Sequence, residues 1–325
     1  MMLVNQPACR SAQRGAALLT AMLTVVLVAT LAASTLWLQW RAVEVEAAER
    51  SRTQAVWVLT GALDWARLIL REDARKGGVD HLGEPWAVPL EQARLSTFLA
   101  ADRNASSDDV TENAFLSGQI IDLQSRLNVA NLVQSGVVVK SSRQAFARLF
   151  ELLDLPEGEL DLMVDNLILS QAKGVEAPAN TPVPLAPQEF DQLAWVGLSA
   201  PTLARLRPYV TLLSAPTPVN LNTAPAEVLY AAVAAFEMVD ATRLVRGRSI
   251  AHLSAVDDAA RVSGNAAARF DSVQHSVTSS YFEVHGSLQI DQLTVQEQSL
   301  VKRIDKEVKT EWRRRSAALP GAPLQ

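Results

Sequence analysis

Between Ala16 and Leu38 the chain carries only Ala, Leu, Val, Met and Trp, interrupted by five hydroxyl residues, Thr20, Thr24, Thr30, Ser34 and Thr35. An α-helix rises about 1.5 Å per residue, so this run is long enough to cross the roughly 30 Å hydrocarbon core of a bilayer. Serine and threonine hydroxyls can bond back to the helix's own carbonyls, which makes them tolerable in lipid. The pattern then changes. Val56, Leu59, Leu63, Ala66 and Leu70 recur at steps of three and four, one face of an amphipathic helix. Gly77-Gly78 supplies a C-terminal stop. Ala16 to Arg75 therefore reads as one helix about 90 Å long. Its lower half suits lipid, and its upper half carries an apolar stripe that needs a globular partner. A coiled-coil stalk would require sustained heptads, and five stripe positions are too few.

Near the other end the period switches from 3.6 to two. Phe282, Val284, Gly286, Leu288 and Ile290 alternate with Glu283, His285, Ser287 and Gln289, the signature of a half-buried antiparallel strand with His285 on its solvated side. Gln296 to Ile304 and the alternation of Val308, Thr310 and Trp312 flank Asp305-Lys306 and read as a hairpin. Gly118 to Leu123 reads as a further strand. These strands predict a small antiparallel sheet packed on the upper half of the long helix. The region between them is helical: Arg143–Leu153 and Glu157–Gln171 meet at Pro156, and a Pro-rich connector, EAPANTPVPLAPQ, occupies 176–188. Residues 190–213 predict two short helices around Val196-Gly197-Leu198. In 218–233, Asn222-Thr223 is placed to cap a helix with Pro225 in its first turn. The fold class is thus α+β.

Charge orients the chain. Arg10 and Arg14 precede the apolar run, whereas Glu44, Glu46 and Glu49 follow it with Arg41 as the one early cation, which places the N-terminus in the cytoplasm and residues 41–325 across the membrane. A cleavable secretory signal would have an apolar region of 7–15 residues before a small-residue cleavage site. Here Ala32-Ala33-Ser34 is followed by more apolar residues, Leu36, Trp37 and Leu38. A plain uncleaved signal-anchor carrying a periplasmic binding or enzymatic domain stays open on this pattern. The formal net charge of −5 gives no global attraction to nucleic acid. The single cysteine, Cys9, excludes a disulfide framework and a cysteine-ligated metal.

Chemistry-bearing motifs are sparse. There is no Gly-rich phosphate loop, G-x-S-x-G elbow or H-E-x-x-H sequence, so no enzymatic activity is expected. His81, His252, His275 and His285 lack ligand spacing, and the pairs Asp108-Asp109 and Asp257-Asp258 read as solvated turns. VN-x-NTA followed by helix–turn–helix resembles helix–hairpin–helix DNA-binding modules, which hold phosphate through a Gly-x-Gly hairpin. The corresponding turn, Ala235-Phe236-Glu237-Met238, has no glycine and contains an acid. Arg243, Arg246 and Arg248 are soon followed by Asp257 and Asp258. A packing module is the better reading.

A short basic leader ending in Gly15, followed at once by a continuous apolar helix, resembles the processing signal of type IV pilins and of type II secretion pseudopilins. The resemblance implies that a prepilin peptidase cuts between Gly15 and Ala16 and that Ala16 is then N-methylated. Losing Arg10 and Arg14 would take the formal charge from −5 to −7. Thr20 becomes the fifth residue, where most of these proteins carry Glu. The minor pseudopilin K family typically departs from Glu there. DLQSRLNVANLV (122–133), the Trp195–Leu213 unit, VNLNTAPAEVL (219–229) and SSYFEVHGSLQI (279–290) are similar to that family and stand in its order.

Such membership implies a pilin-like fold: a leader (1–15), the transmembrane part of the helix (16–38), its periplasmic part (39–76), a sheet region (77–124 and 279–315), an inserted α-helical domain (125–278) and a tail (316–325). It implies a pseudopilus-tip subunit that supports filament assembly and export of folded proteins. The expected partners are minor pseudopilins I and J, the other pseudopilins, the prepilin peptidase and the inner-membrane assembly platform, with no nucleic acid. The expected location is the bacterial inner membrane, single-pass, and the filament tip after assembly. The resemblance implies that calcium can bind in the helical domain, where the family often carries an acidic Asp-Trp-Arg-Asp-like segment after the second helix. The matching stretch, Asp165-Asn166-Leu167-Ile168-Leu169, lacks most of that acidity, so no cofactor and no metal ligands are assigned.

Overall fold

The computed structural model describes residues 14–100, 114–171, 183–290 and 293–318. Cys9, Arg10, Asp108-Asp109, the 176–182 part of the connector and the tail beyond 318 lie outside the described residues. The chain divides into two compact units, residues 1–57 and 58–325.

In the first unit, helix α1 (Arg14–Lys76) begins, and residues 16–50 are exposed on every side. Its apolar part reaches a mean hydropathy of 2.3, long and apolar enough to cross a membrane. The hydroxyls interrupting it are satisfied within the helix. Thr20 donates to Ala16 and Ala17 carbonyls at 3.1 and 3.0 Å, and Thr24, Thr30, Ser34 and Thr35 each donate to the carbonyl three residues back. The Arg41 guanidinium lies over the Trp37 ring, a pairing suited to the membrane–water boundary.

In the second unit α1 continues as the amphipathic helix its spacing predicts. Leu59, Leu63, Ala66 and Leu70 are buried, and Asp64, Trp65, Leu68 and Arg71 face outward. Gly77 closes the helix with a positive φ of 69°, its amide donating to Asp73 O. The stripe meets a five-stranded antiparallel sheet: β1 (Leu90–Arg94), β2 (Ala114–Asp122), β3 (Tyr281–Ile290), β4 (Leu293–Ile304) and β5 (Glu307–Ala318), laid side by side in chain order. Leu63, Ala66 and Leu70 pack against Trp86, Phe282, Val284, Val301 and Val308. Arg67 adds two hydrogen bonds to the Val308 carbonyl, at 3.1 and 2.8 Å.

The 304–308 hairpin forms as expected, with Ile304 opposite Glu307. Two differences concern the edges. β5 runs to Ala318, beyond the limit of 315, because Ser316, Ala317 and Ala318 pair with Gln296, Val295 and Thr294. β1 was not expected, since Leu-Glu-Gln-Ala-Arg has no alternation; it forms by pairing with β2 across a bulge and runs on into the short helix α2 (Leu95–Ala100).

Between β2 and β3 the chain leaves the sheet and builds a separate helical core. Helices α3 (Lys140–Leu152) and α4 (Glu157–Gln171) match the expected pair. They pack with α5 (Ala200–Leu206), α6 (Ala226–Ala232), α7 (Met238–Ile250) and α8 (Asp258–Ser263) around Phe146, Leu149, Phe150, Met163, Leu193, Leu229 and Leu244. The first helix of the 190–213 unit is a 3-10 turn, Phe190–Val196, and Gly197 adopts φ 113° before α5. A β-carbon there would lie 2.6 Å from the Leu162 side chain, so the turn requires glycine twice over.

If the stripe is what joins helix to sheet, Leu70→Ala should cost about 2–5 kcal/mol of stability by emptying a fully buried site. Leu68→Ala, on the outward face, should stay within about 0.5 kcal/mol. Thermal denaturation followed by circular dichroism compares the two.

Candidate functional site

The feature that organises the second unit is a buried polar junction where the helical domain leaves and rejoins the sheet. Asp122 ends β2 and is fully buried. Its Oδ2 accepts from Thr223 Oγ1 and Ser279 Oγ, both at 2.6 Å, and from Asn220 Nδ2 at 3.1 Å. Its Oδ1 accepts from the Gln124 amide at 2.8 Å. Asn220 Nδ2 also donates to Asp80 O at 3.2 Å and Ser279 Oγ at 2.9 Å. Gln124 closes the ring by accepting from Ser280 N at 2.7 Å and donating to Pro218 O at 3.0 Å. The departing strand, the helical domain's Asn220 and Thr223, and the returning segment thus share one set of hydrogen bonds.

Arg303 of β4 supplies the balancing charge. Its guanidinium donates to Asp80 Oδ1 and Oδ2 at 2.6 and 2.5 Å, to Ser279 O at 2.6 Å and to Asp73 Oδ2 at 2.9 Å. Asp80 Oδ2 in turn accepts from Ser279 N at 2.6 Å. Burial pushes the carboxyls upward: Asp122 rises to about 6, Asp80 rises despite Arg303, and Asp73 rises to about 6 through burial and the neighbouring Glu84.

Asp73, Asp80 and Glu84 place ligand atoms within 4.8 Å of one another, the spacing of a cation site. Arg303 already fills the cation's role toward Asp73 and Asp80, and Glu84 Oε2 is held by Trp86 Nε1 and His81 N at 2.8 and 2.9 Å. The stretch matched to the calcium segment fits no better. Asp165 is exposed, and the Asn166 amide is committed to Val196 O at 3.1 Å. Calcium wants six to eight oxygens, and neither place offers that set.

Several expectations need correction. His285 is not solvated: it is 4% exposed, and its Nε2 lies 2.9 Å from Glu283 Oε2. The polar face of β3 is covered, with Tyr281 packing on Leu123, Leu213 and Leu300. Burial raises Glu283, but the His285 hydrogen bond and the charges of His285, Arg126 and Arg207 outweigh it and leave its carboxyl below the usual range. Asn222 and Thr223 do not cap α6. Pro225 takes the N-cap position, Thr223 is drawn to Asp122, and Asn222 exchanges two hydrogen bonds with Leu253. The histidines are not all scattered: His81 and His252 stack with centroids 4.0 Å apart. His81 Nδ1 accepts from Gly83 N at 3.1 Å, so that nitrogen is already engaged.

The turn at Ala235–Met238 is tied into the helical core: Arg148 of α3 donates to the Val233 carbonyl at 2.7 Å and to that of Phe236, and Asn265 Nδ2 donates to Ala235 O at 2.9 Å. Before α5, the Glu159 carboxylate of α4 accepts from the Ser199 amide at 3.0 Å. Asp258 behaves as a turn acid, accepting from Ser254 and Ala255 amides at 3.2 and 3.1 Å. The candidate processing residues Gly15 and Ala16 lie in the first turn of α1, and Thr20 lies one turn further along it.

Family models for type II secretion system protein K match residues 125–216 and 219–279. The type II secretion system protein K of Pseudomonas aeruginosa PAO1 is 29% identical over 296 residues, covering 85% of this chain and 84% of that protein. The chain belongs to the type II secretion protein K family. As a member it is a minor pseudopilin of type II secretion. The fold agrees with the crystal structure of the GspK–GspI–GspJ complex from enterotoxigenic Escherichia coli, with a TM-score of 0.63 at 18% identity, covering 83% of this chain and 99% of that one. In this protein K fold, Asp80, Asp122, Asn220 and Arg303 were not legible as a group. They come from four distant segments, and no local spacing links them.

Removing Arg303 leaves Asp73 and Asp80 buried without their cation, so Arg303→Met should cost about 3–5 kcal/mol near neutral pH. A carboxyl whose folded pKa is raised contributes stability in full below its unfolded pKa and loses it as pH rises through the folded value. The variant's deficit in melting temperature should therefore shrink as pH falls from 7.5 to about 5.5.

Proposed function

We propose that this minor pseudopilin caps the tip of the type II secretion pseudopilus. A prepilin peptidase cuts between Gly15 and Ala16, Ala16 is N-methylated, and the apolar part of α1 holds the subunit in the inner membrane, N-terminus cytoplasmic and globular unit periplasmic, until assembly extracts it. The E. coli relative is named in complex with GspI and GspJ, and minor pseudopilins I and J are the proposed neighbours here. The remaining pseudopilins and the inner-membrane platform complete the proposed set of partners.

The observation that carries the reading is Thr20. An ionised side chain at mid-membrane costs roughly 2.5–3.5 kcal/mol unless it is paired. A Glu at this position is therefore useful where the amine of the subunit ahead can pair with it. Thr20 satisfies its hydroxyl on Ala16 and Ala17 and asks for no partner. A terminal subunit has no subunit ahead, so the neutral residue suits that place. The helical domain, clamped to the sheet by the Asp122 junction, supplies the bulk that stops further addition.

The function requires no catalytic residue and no cofactor. Intact-mass analysis of material from secreting cells should show a chain beginning at methylated Ala16. Gly15→Ala should leave the leader attached and abolish secretion. A Met1 start with normal export would instead support the signal-anchored domain. Calorimetric titration of the protein with calcium should show no heat beyond a chelated control.

A further inference from the structure

A second feature of the second unit concerns the contact between α1 and the sheet. Gly118 of β2 and Gly286 of β3 are direct cross-strand neighbours on the face turned toward the helix. A β-carbon on Gly118 would meet only the backbone of the next strand, at His285 O 2.9 Å away, and nothing from the helix. On Gly286 it would meet the tip of Leu59 at 3.2 Å. The helix opposes this bare floor with two more small residues, Ala62 and Ala66. Leu63 and the buried Trp86 stand as pillars that keep the helix from settling onto the glycines. The result is an apolar slot of about 260 Å³ whose mouth is formed by Trp65, Val88 and Pro89.

We propose that this slot is a binding site for a small uncharged aromatic molecule of about the size of indole. Three observations set the chemistry. The volume suits one or two fused rings, because an apolar cavity near 150 Å³ already holds benzene, whereas drug-sized ligands need about 300 Å³ or more. The walls are mostly hydrocarbon, and their polar members are Glu297, Ser299 and the adjoining stretches of β2 and β3 at Ser117, Gln119 and His285. Glu297 is nearly inaccessible and already neutralised by Arg313 Nε at 2.9 Å and Arg315 Nε at 2.5 Å. Neither an anion nor a cation would find a counter-charge there. Four small residues from three elements, Gly118, Gly286, Ala62 and Ala66, keep the slot wide. Trp65 is half exposed and lines the slot, and an aromatic wall favours an aromatic guest. The inference is independent of the tip assignment.

The test uses the full chain in lipid nanodiscs, avoiding detergent that would compete for the slot. Fluorine NMR of 5-fluoroindole should show saturable binding above the partitioning measured with empty discs. Toluene should displace it, while benzoate and benzylamine at equal concentration should not. Ala66→Leu fills the slot and should weaken binding about tenfold or more. Where that variant loses its cooperative melting transition, Ala62→Leu, on the same wall but half buried, takes its place. Uptake indistinguishable from empty discs, or saturable uptake unchanged in the filled variant, would overturn the proposal.

Discussion

A guanidinium withdrawn from water must be surrounded by acceptors, and this constraint on Arg303 fixes the globular unit. Its donors reach the last turn of α1 at Asp73, the following loop at Asp80 and the returning strand at Ser279. The first two are close in sequence and Ser279 lies 199 residues beyond Asp80, yet one planar group holds them together. Lysine would not serve, because a single ammonium cannot present a fork to Asp80 while also reaching Asp73. Asp122 completes the arrangement from the opposite side by gathering donors from the departing strand and from the helical domain. Removing any member exposes the others to the cost of burial without partners.

This arrangement explains how a long helical excursion can interrupt an antiparallel sheet without loosening it. The two strands that flank the excursion, β2 and β3, pair along nine consecutive positions from Ala114–Ile290 to Asp122–Phe282. The junction begins at the last of these pairs. The helical core therefore starts from a fixed point, and its own apolar contacts need only hold it together internally. For a subunit whose proposed role is mechanical, a polar and directional joint fixes orientation where a greasy contact would allow sliding.

Much of this was legible in the sequence because it rests on local periodicity. The amphipathic stripe from Leu59 to Leu70, the alternation from Phe282 to Ile290, the hairpin at Asp305-Lys306 and helices α3 and α4 all follow from spacing alone. What was not legible depends on partners far away in sequence. His285 was expected in solvent because its strand alternates cleanly, but alternation says only that the two faces differ, and here Leu213 and Leu123 help to cover the polar one. Asn222-Thr223 has the composition of a cap, yet Asp122 competes for Thr223 and wins with a 2.6 Å charge-assisted bond. β1 carries no signal of its own and exists because β2 offers an edge.

The two ends of α1 show the same helix answering to two surroundings. Above residue 58 its identity is set by what it touches: every buried stripe residue faces the sheet or the loop around Trp86. Below, residues 16–38 are exposed and are either apolar or hydroxyl residues satisfied within the helix, so the surroundings must supply their complement. Hydroxyls that bond to their own helix are indifferent to whether that complement is lipid or another helix. A carboxylate is not, since it is tolerable only beside a cation. On the proposed reading, Thr20 therefore does more than omit an acid. It leaves the first turns of the helix equally at ease in the bilayer before assembly and beside apolar neighbours afterwards, with no charge to be matched in either place.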